Sequence, residues 1–138
     1  MNIRLLISTV LTAAMFAAAL PAAAQGSGET IVPSLAQAIP NMPGKSLIAV
    51  TLDYAPGGAS PAYEHAKSAS IFAYVVSGDI ETQIDDAPIR IYHAGESFFE
   101  PPGSIHRISR NASKSRSAKL LAVIVVDTDD KPYTAPLK

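Results

Sequence analysis

Short apolar runs separated by turn-forming residues are the feature that most constrains the fold of this chain. From residue 47 onwards these runs recur between Gly, Pro and Asp clusters, and no stretch keeps helical spacing of apolar residues over three turns. The runs that we predict to be strands are Leu47–Asp53, Ala69–Ser77, Ile80–Ile84, Ile89–Tyr92, Ser97–Glu100, Ile105–Ser109 and Lys119–Asp127. This pattern predicts an all-β domain, either a jelly roll or a small barrel.

Two of the predicted strands are apolar on both faces. Ala69–Ser77 and Leu120–Val126 lack the alternation of polar and apolar residues that a half-exposed strand shows. One face of each strand is therefore expected inside the barrel, and the other against the N-terminal arm or a second subunit. We predict a homodimer on this basis.

Length and composition exclude several classes of protein. The 138 residues suffice for one domain, and the formal net charge of −1 lacks the basic excess of a nucleic-acid binder. The chain has no cysteine, which excludes disulfides, thiolate metal ligands and a cysteine nucleophile.

The N-terminus has the pattern of a secretory signal peptide. Arg4 precedes an apolar run over residues 5–20, and Ala22-Ala23-Ala24 follows as a small-residue cleavage site. We predict a signal peptide over residues 1–24, cleavage after Ala24, export to the periplasm and no membrane association afterwards. The remaining chain divides into an extended arm (25–46), a barrel (47–127) and a C-terminal tail (128–138).

Two glycine- and histidine-containing motifs lie on either side of the central hairpin. The first runs Gly57-x5-Tyr63-x-His65 and ends at Gly78, and the second runs Gly95-x5-Pro101-x-Gly103-x2-His106. With these motifs the chain resembles the cupin family of small jelly-roll β-barrels. The resemblance implies one divalent metal, held by a His-x-His pair and a Glu of the first motif and by a His of the second.

The chain departs from that pattern at two of the four ligand positions. Tyr63 stands where the first histidine is expected, and residues 69–71, where the Glu is expected, contain no carboxylate. His65 and His106 therefore remain as metal ligands.

Three other side chains are candidates for the missing metal ligands. Tyr63 can bind a metal as a phenolate, but deprotonation costs free energy at neutral pH because the usual pKa of tyrosine is near 10. Glu100 precedes a proline and shares a strand face with Phe98, whereas Glu64 is expected to point away from its neighbours Tyr63 and His65. Imidazoles with one carboxylate suit Fe, Mn, Ni, Cu or Zn. The alternative is a barrel of the same shape that binds no metal.

The residues expected around the pocket are Tyr63, His65, Phe72, Phe98, Glu100 and His106. They predict an exported cupin-fold protein with a small-molecule pocket in the barrel and a degenerate or unusual metal site. The alternative is a metal-dependent oxygenase, isomerase or lyase that acts on a small organic acid or aromatic. A third hypothesis is an exported structural dimer without a small-molecule site.

Overall fold

A computed structural model describes residues 27–137, and this range contains ten strands and no helix. The strands are β1 (Glu29–Ala38), β2 (Lys45–Tyr54), β3 (Tyr63–His65), β4 (Ser70–Ser77), β5 (Asp79–Ile84), β6 (Arg90–His93), β7 (Ser97–Glu100), β8 (Ile105–Asn111), β9 (Ala118–Asp127) and β10 (Thr134–Pro136). The seven predicted strands are confirmed, each within two residues of its predicted bounds.

The strands form two antiparallel sheets of five strands each. The first sheet has the order β1-β2-β9-β4-β7, and the second has the order β10-β3-β8-β5-β6. The chain crosses between the two sheets repeatedly, and Gly78 lies at one of these crossings, between β4 and β5. The all-β jelly-roll prediction is confirmed.

Alternation of side chains along the strands creates the core. In β9, every second residue from Ala118 to Val126 is buried, and the residues between them are half-buried. In β4, the buried residues are Ile71, Ala73 and Val75. The inward faces of the two sheets thus enclose one apolar core, to which Ile80 of the second sheet contributes.

The segments predicted as an extended arm and a C-terminal tail each contribute a strand. β1 pairs with β2 from Glu29↔Tyr54 to Ala38↔Ser46, so the arm extends the first sheet. β10 pairs with β3 through Thr134↔His65, so the tail returns to the second sheet. The physical reason is that β2 and β3 would otherwise present unpaired backbone groups at a sheet edge.

The predicted signal peptide lies outside the described residues, as do Gln25 and Gly26 of the arm. Within residues 27–137, no helix is long and apolar enough to cross a membrane.

Phe72 lies on the outward face of the first sheet, which corrects its predicted place in the pocket. Its side chain is 48% exposed, while its neighbours Ile71 and Ala73 are buried. Phe72 pairs across strands with Val123 of β9 and Phe99 of β7. The sequence of a strand that is apolar on both faces does not show which face is inward. The pairing of β4 with β9 and β7 determines this.

Gly78 provides the first testable prediction, because it turns the chain where there is no room for a side chain. Its φ of +72° belongs to the left-handed region, and an added Cβ would lie 2.7 Å from the Ser117 carbonyl oxygen and 2.7 Å from Ala118 Cβ. We expect Gly78→Ala to lower the free energy of unfolding by about 3 kcal/mol, as the sum of a left-handed penalty and overpacking. Chemical denaturation measures this loss.

Gly57→Ala is the matched control. Gly57 has a φ of +70° but no atom within 4 Å of an added Cβ. The free energy of unfolding of Gly57→Ala should therefore fall only by the penalty for a left-handed backbone, about 1 kcal/mol. Equal losses in the two variants would contradict the steric explanation.

Candidate metal centre

Three buried side chains from three strands meet inside the barrel. His65 is the last residue of β3, His106 lies in β8, and Glu100 is the last residue of β7 in the other sheet. The nearest ligand atoms of the three side chains all lie within 4.8 Å of one another. We call this set the His-Glu-His cluster.

The Glu100 carboxylate lies between the two imidazoles. His65 Nε2 donates to Glu100 Oε2 over 2.8 Å, and His106 Nδ1 lies 3.1 Å from the same oxygen. All three residues are buried, with His65 5% exposed, Glu100 2% and His106 1%. Since both imidazoles approach one oxygen, the carboxylate connects the two sheets across the barrel.

The cluster keeps Glu100 ionised. Burial by itself raises the pKa of the Glu100 carboxyl, but the hydrogen bonds and positive charge from His106 and His65 outweigh that effect and lower this pKa to about 2. The site therefore provides a buried carboxylate anion at neutral pH.

Strand register explains how Glu100 reaches the site. Glu100 of β7 lies directly opposite Ile71 of β4, and both side chains are buried. Residue 71 is one of the positions at which the cupin pattern expects its glutamate. Because directly opposed residues have Cβ atoms about 5 Å apart, Glu100 offers its carboxylate from the adjacent strand.

The His106 ring is held at both nitrogens. Nδ1 forms a 2.9 Å hydrogen bond with the Tyr63 hydroxyl, and Nε2 forms a 2.6 Å hydrogen bond with Thr82 Oγ1. A neutral imidazole has one N–H and one acceptor nitrogen, so one hydroxyl donates to the ring and the other accepts from it. When Nδ1 carries the proton and donates to Glu100, Nε2 accepts from Thr82. If a metal ion replaced that proton, Nε2 would donate to Thr82 and the Nδ1 lone pair would face the cluster.

Tyr63 is held as a neutral phenol. Burial, and then the negative charge of Glu100, raise the pKa of Tyr63 well above its usual value. Its ring also lies edge-on to the His65 ring, with 5.1 Å between the centroids. A neutral hydroxyl suits a hydrogen-bonding role better than the phenolate role considered from the sequence.

Thr82 is the residue that the sequence analysis missed. It occupies the inward face of β5 between Ile80 and Ile84, and it is buried. A polar residue on an otherwise apolar strand face was the available signal. Its partner could not be read from the chain, because Thr82 and His106 are 24 positions apart.

The donor set fits a divalent transition metal. Two imidazoles and one carboxylate are a common ligand set for such ions. The three side chains would each supply one ligand atom to such an ion. Thr82 holds the far nitrogen of His106, as outer partners of metal-bound histidines do.

The remaining candidate residues occupy different places. Phe98 is buried, and its ring centroid lies 6.4 Å from that of His106. Glu64 forms an ion pair with Lys67 and takes no part in the cluster. Of the six residues expected around the pocket, the structure brings five together, whereas Phe72 lies on the outward side of the first sheet.

The surface of the described residues includes two concavities near the ends of the strands. One, of about 400 Å³, is lined by Thr82, Ile84, Ala87, Pro88, Ile89, Arg90 and Tyr92, and we call it the Thr82 pocket. The other, of about 340 Å³, includes Glu29, Tyr54 and Lys119 in its lining, and neither concavity is lined by a residue of the His-Glu-His cluster. Of the two, the Thr82 pocket lies nearer to the cluster, because Thr82 lines this pocket and also hydrogen-bonds to His106.

The lowered pKa of Glu100 predicts how the stability of the metal-free protein depends on pH. The unfolded carboxyl titrates near pH 4.3 and the folded one near 2, so the stabilisation is complete above about pH 5 and is lost as the pH falls. The full effect is about 3 kcal/mol, of which about half disappears by pH 3. Chemical denaturation between pH 7 and pH 3 measures it.

Glu100→Gln should lack this part of the pH dependence, so its stability curve converges towards that of the natural protein in acid. Glu64→Gln is the control and should run parallel to the natural curve, because Glu64 lies outside the cluster. A curve for Glu100→Gln that parallels the natural one would show that Glu100 is not ionised in the folded state.

Comparisons with known proteins place the chain in a family. Residues 50–124 match the family Cupin_2, the cupin domain. No curated protein matches the chain.

Solved structures resemble the fold at low sequence identity. An uncharacterized protein with a double-stranded β-helix domain from Klebsiella pneumoniae has a TM-score of 0.61 at 14% identity, covering 86% of this chain and 89% of that one. The Schizosaccharomyces pombe Cnp3 cupin domain has a TM-score of 0.59 at 18% identity, covering 79% and 68%. A recombinant oxalate oxidase in complex with glycolate has a TM-score of 0.58 at 21% identity, covering 80% and 55%.

These likenesses show the fold alone, and the chain spans little more than half the length of the oxalate oxidase. The family match covers more than half of the 138 residues and includes the strands that carry all three residues of the His-Glu-His cluster. The chain belongs to the cupin family.

Proposed function

We propose that the protein is an exported cupin that binds a small molecule beside one divalent transition metal. The metal would be held by His65 Nε2, Glu100 Oε2 and His106 Nδ1. The observation that carries this proposal is the convergence of the three buried side chains, whose ligand atoms lie within 4.8 Å of one another. Three ligands leave further positions on the metal for a bound molecule.

The donor set narrows the choice of metal to Fe, Mn, Ni, Cu or Zn. The absence of cysteine removes the thiolate ligands that soft ions prefer, and the carboxylate favours iron and manganese within this group. When bound, such an ion would act as a Lewis acid on an oxygen atom of the small molecule.

The Thr82 pocket is the proposed site of the small molecule. Its volume of about 400 Å³ lies within the range of small-molecule sites, and its walls are mainly apolar. Thr82 lines the pocket and hydrogen-bonds to His106, so a molecule there would lie next to the cluster.

Export is proposed from the sequence alone. The positive charge of Arg4, the apolar run of residues 5–20 and the alanines at 22–24 are the pattern of a cleaved signal peptide. The mature protein would then begin at Gln25 and work in the periplasm.

Tyr63 favours a metal-dependent enzyme as the second candidate function. Its neutral hydroxyl lies within the cluster and holds a proton next to His106. A positioned group of this kind can donate a proton to a reacting molecule. The oxalate oxidase with a similar fold is an enzyme that binds glycolate, a small organic acid, which agrees with this candidate.

Metal content tests the proposal directly. Untagged protein purified from the periplasm is stripped, loaded separately with Fe, Mn, Ni, Cu and Zn, and analysed for bound metal. We expect about one equivalent of at least one metal. Glu100→Gln should bind that metal at least about 100-fold more weakly, because an amide oxygen replaces the anionic ligand.

Two variants of the same strand serve as controls. Glu64→Gln removes a carboxylate that lies between Tyr63 and His65 but outside the cluster, and it should keep its metal. Tyr63→Phe should also keep its metal if Tyr63 is a hydrogen-bonding group rather than a ligand. Less than a tenth of an equivalent with every metal would exclude a metal site and leave a metal-free binding pocket.

We also propose a homodimer that forms through the outward face of the first sheet. All five strands contribute apolar side chains to this face. These residues are Val32, Leu35, Leu47, Ala49, Phe72, Tyr74, Phe99, Leu121, Val123 and Val125. We call this face the outer face. Apolar patches of this extent on a single chain mark interaction sites.

A second copy is the occupant that the outer face suits best. Two ion pairs, Lys45–Asp127 and Lys119–Asp53, lie at opposite ends of β2 and β9, and each is neutral overall. Two copies packed face to face would therefore meet no like-charge repulsion, with an apolar centre and a charged rim. Five strands spaced 4.8 Å apart provide on the order of 500 Å² on each copy, or about 1,000 Å² in total, which reaches the lower bound for a biological interface.

Substitution of an exposed residue on the outer face tests the dimer. Light scattering after size exclusion should show a dimer for the natural protein and a monomer for Phe72→Lys, because lysine would bury a charge at the centre of the contact. Ile91→Lys is the matched control, since Ile91 is exposed to a similar degree (45%) but lies in the second sheet. It should remain a dimer, and a monomeric natural protein would contradict the proposal.

A further inference from the structure

The Thr82 pocket has apolar walls and a single charged residue. Ile84, Pro88, Ile89 and Tyr92 supply most of the wall, and Arg90 supplies the charge. A pocket of this kind selects a compact apolar molecule that carries a group complementary to arginine.

Register places Arg90 beside the cluster. Arg90 of β6 is directly opposite Thr82 of β5, so the two side chains lie on the same face of the second sheet. Thr82 in turn hydrogen-bonds to His106 Nε2 over 2.6 Å. Only the Thr82 side chain separates the arginine from a ring of the His-Glu-His cluster along this path.

Arg90 differs from the other arginines of the described chain in having no acidic partner. Arg107, Arg110 and Arg116 each form an ion pair with an aspartate or glutamate. Among residues 27–137, no carboxylate lies within ion-pair distance of Arg90. Its charge is therefore available to a ligand.

The guanidinium group of Arg90 is nevertheless held in place. It stacks over the Tyr92 ring at 4.5 Å from the centroid, and the Tyr92 ring packs on Phe98 with 4.6 Å between centroids. Phe98 is buried against the His106 ring. A stacked guanidinium loses less freedom on binding, and its planar fork matches the two oxygens of a carboxylate.

We propose that Arg90 recognises the carboxylate of a small apolar acid whose hydrocarbon part fills the Thr82 pocket. This inference deepens the proposed function, because it names the substrate class of the same site. A monovalent carboxylate suits the pocket better than a phosphate, since one guanidinium balances one negative charge and the remaining wall is apolar.

Binding of three small acids and their amides tests the inference. Benzoate, cyclohexanecarboxylate and hydrocinnamate are titrated by calorimetry into metal-loaded natural protein, beside the three corresponding neutral amides. We expect at least one acid to bind, and its amide to bind about 10- to 100-fold more weakly, because the amide lacks the charge-assisted pair.

Arg90→Gln should weaken binding of that acid by a similar 10- to 100-fold factor and remove the preference over the amide. Arg90→Lys should recover only part of the affinity, because an ammonium group lacks the fork. Arg110→Gln is the matched control, as it removes an arginine that is paired with Glu81 and lies outside the Thr82 pocket. It should bind the acid as the natural protein does.

The outcomes separate this inference from the proposed function. Metal content of Arg90→Gln should equal that of the natural protein, because Arg90 is not in the cluster. If none of the three acids binds, or if Arg90→Gln binds them as tightly as the natural protein, Arg90 does not recognise carboxylates here. Metal loading would then still support the proposed function, whereas failure to load metal contradicts that function whatever the acids do.

Discussion

The buried charge of Glu100 is the constraint on which the rest of the site depends. An ionised carboxylate with 2% exposure is tolerated only where hydrogen-bond donors replace its water. His65 and His106 supply those donors from the opposite sheet. The need to satisfy one anion thus explains why both imidazoles turn inward and why the two sheets are tied together at this point.

The carboxylate of the cluster comes from a different position in the sequence than the cupin pattern gives it. The carboxylate that the cupin pattern places near residue 71 is supplied instead by Glu100, directly opposite on the neighbouring strand. Cross-strand neighbours face the same side of a sheet, so either position can aim a side chain at the same interior point. Tyr63, in place of a histidine, becomes a hydrogen-bonding partner of His106.

The apolar residues of β4 serve two different purposes, because alternate side chains point to opposite faces of the first sheet. In β4, Ile71 packs in the core while Phe72 lies on the outer face. Because both residues are apolar, composition alone does not show which of them faces inward. The outward position of Phe72 moves it from the small-molecule pocket to the surface that we propose for dimerisation.

The sequence by itself determined the all-β architecture, seven of the ten strands, and the roles of His65 and His106 as the central candidates. These properties follow from local periodicity, turn residues and motif spacing, which are read along the chain. The tertiary structure alone decided the inward position of Glu100, the partnership of Thr82 with His106, and the place of Arg90 beside them. Each of these depends on strand register, which joins residues far apart in the chain and leaves no local mark in the sequence.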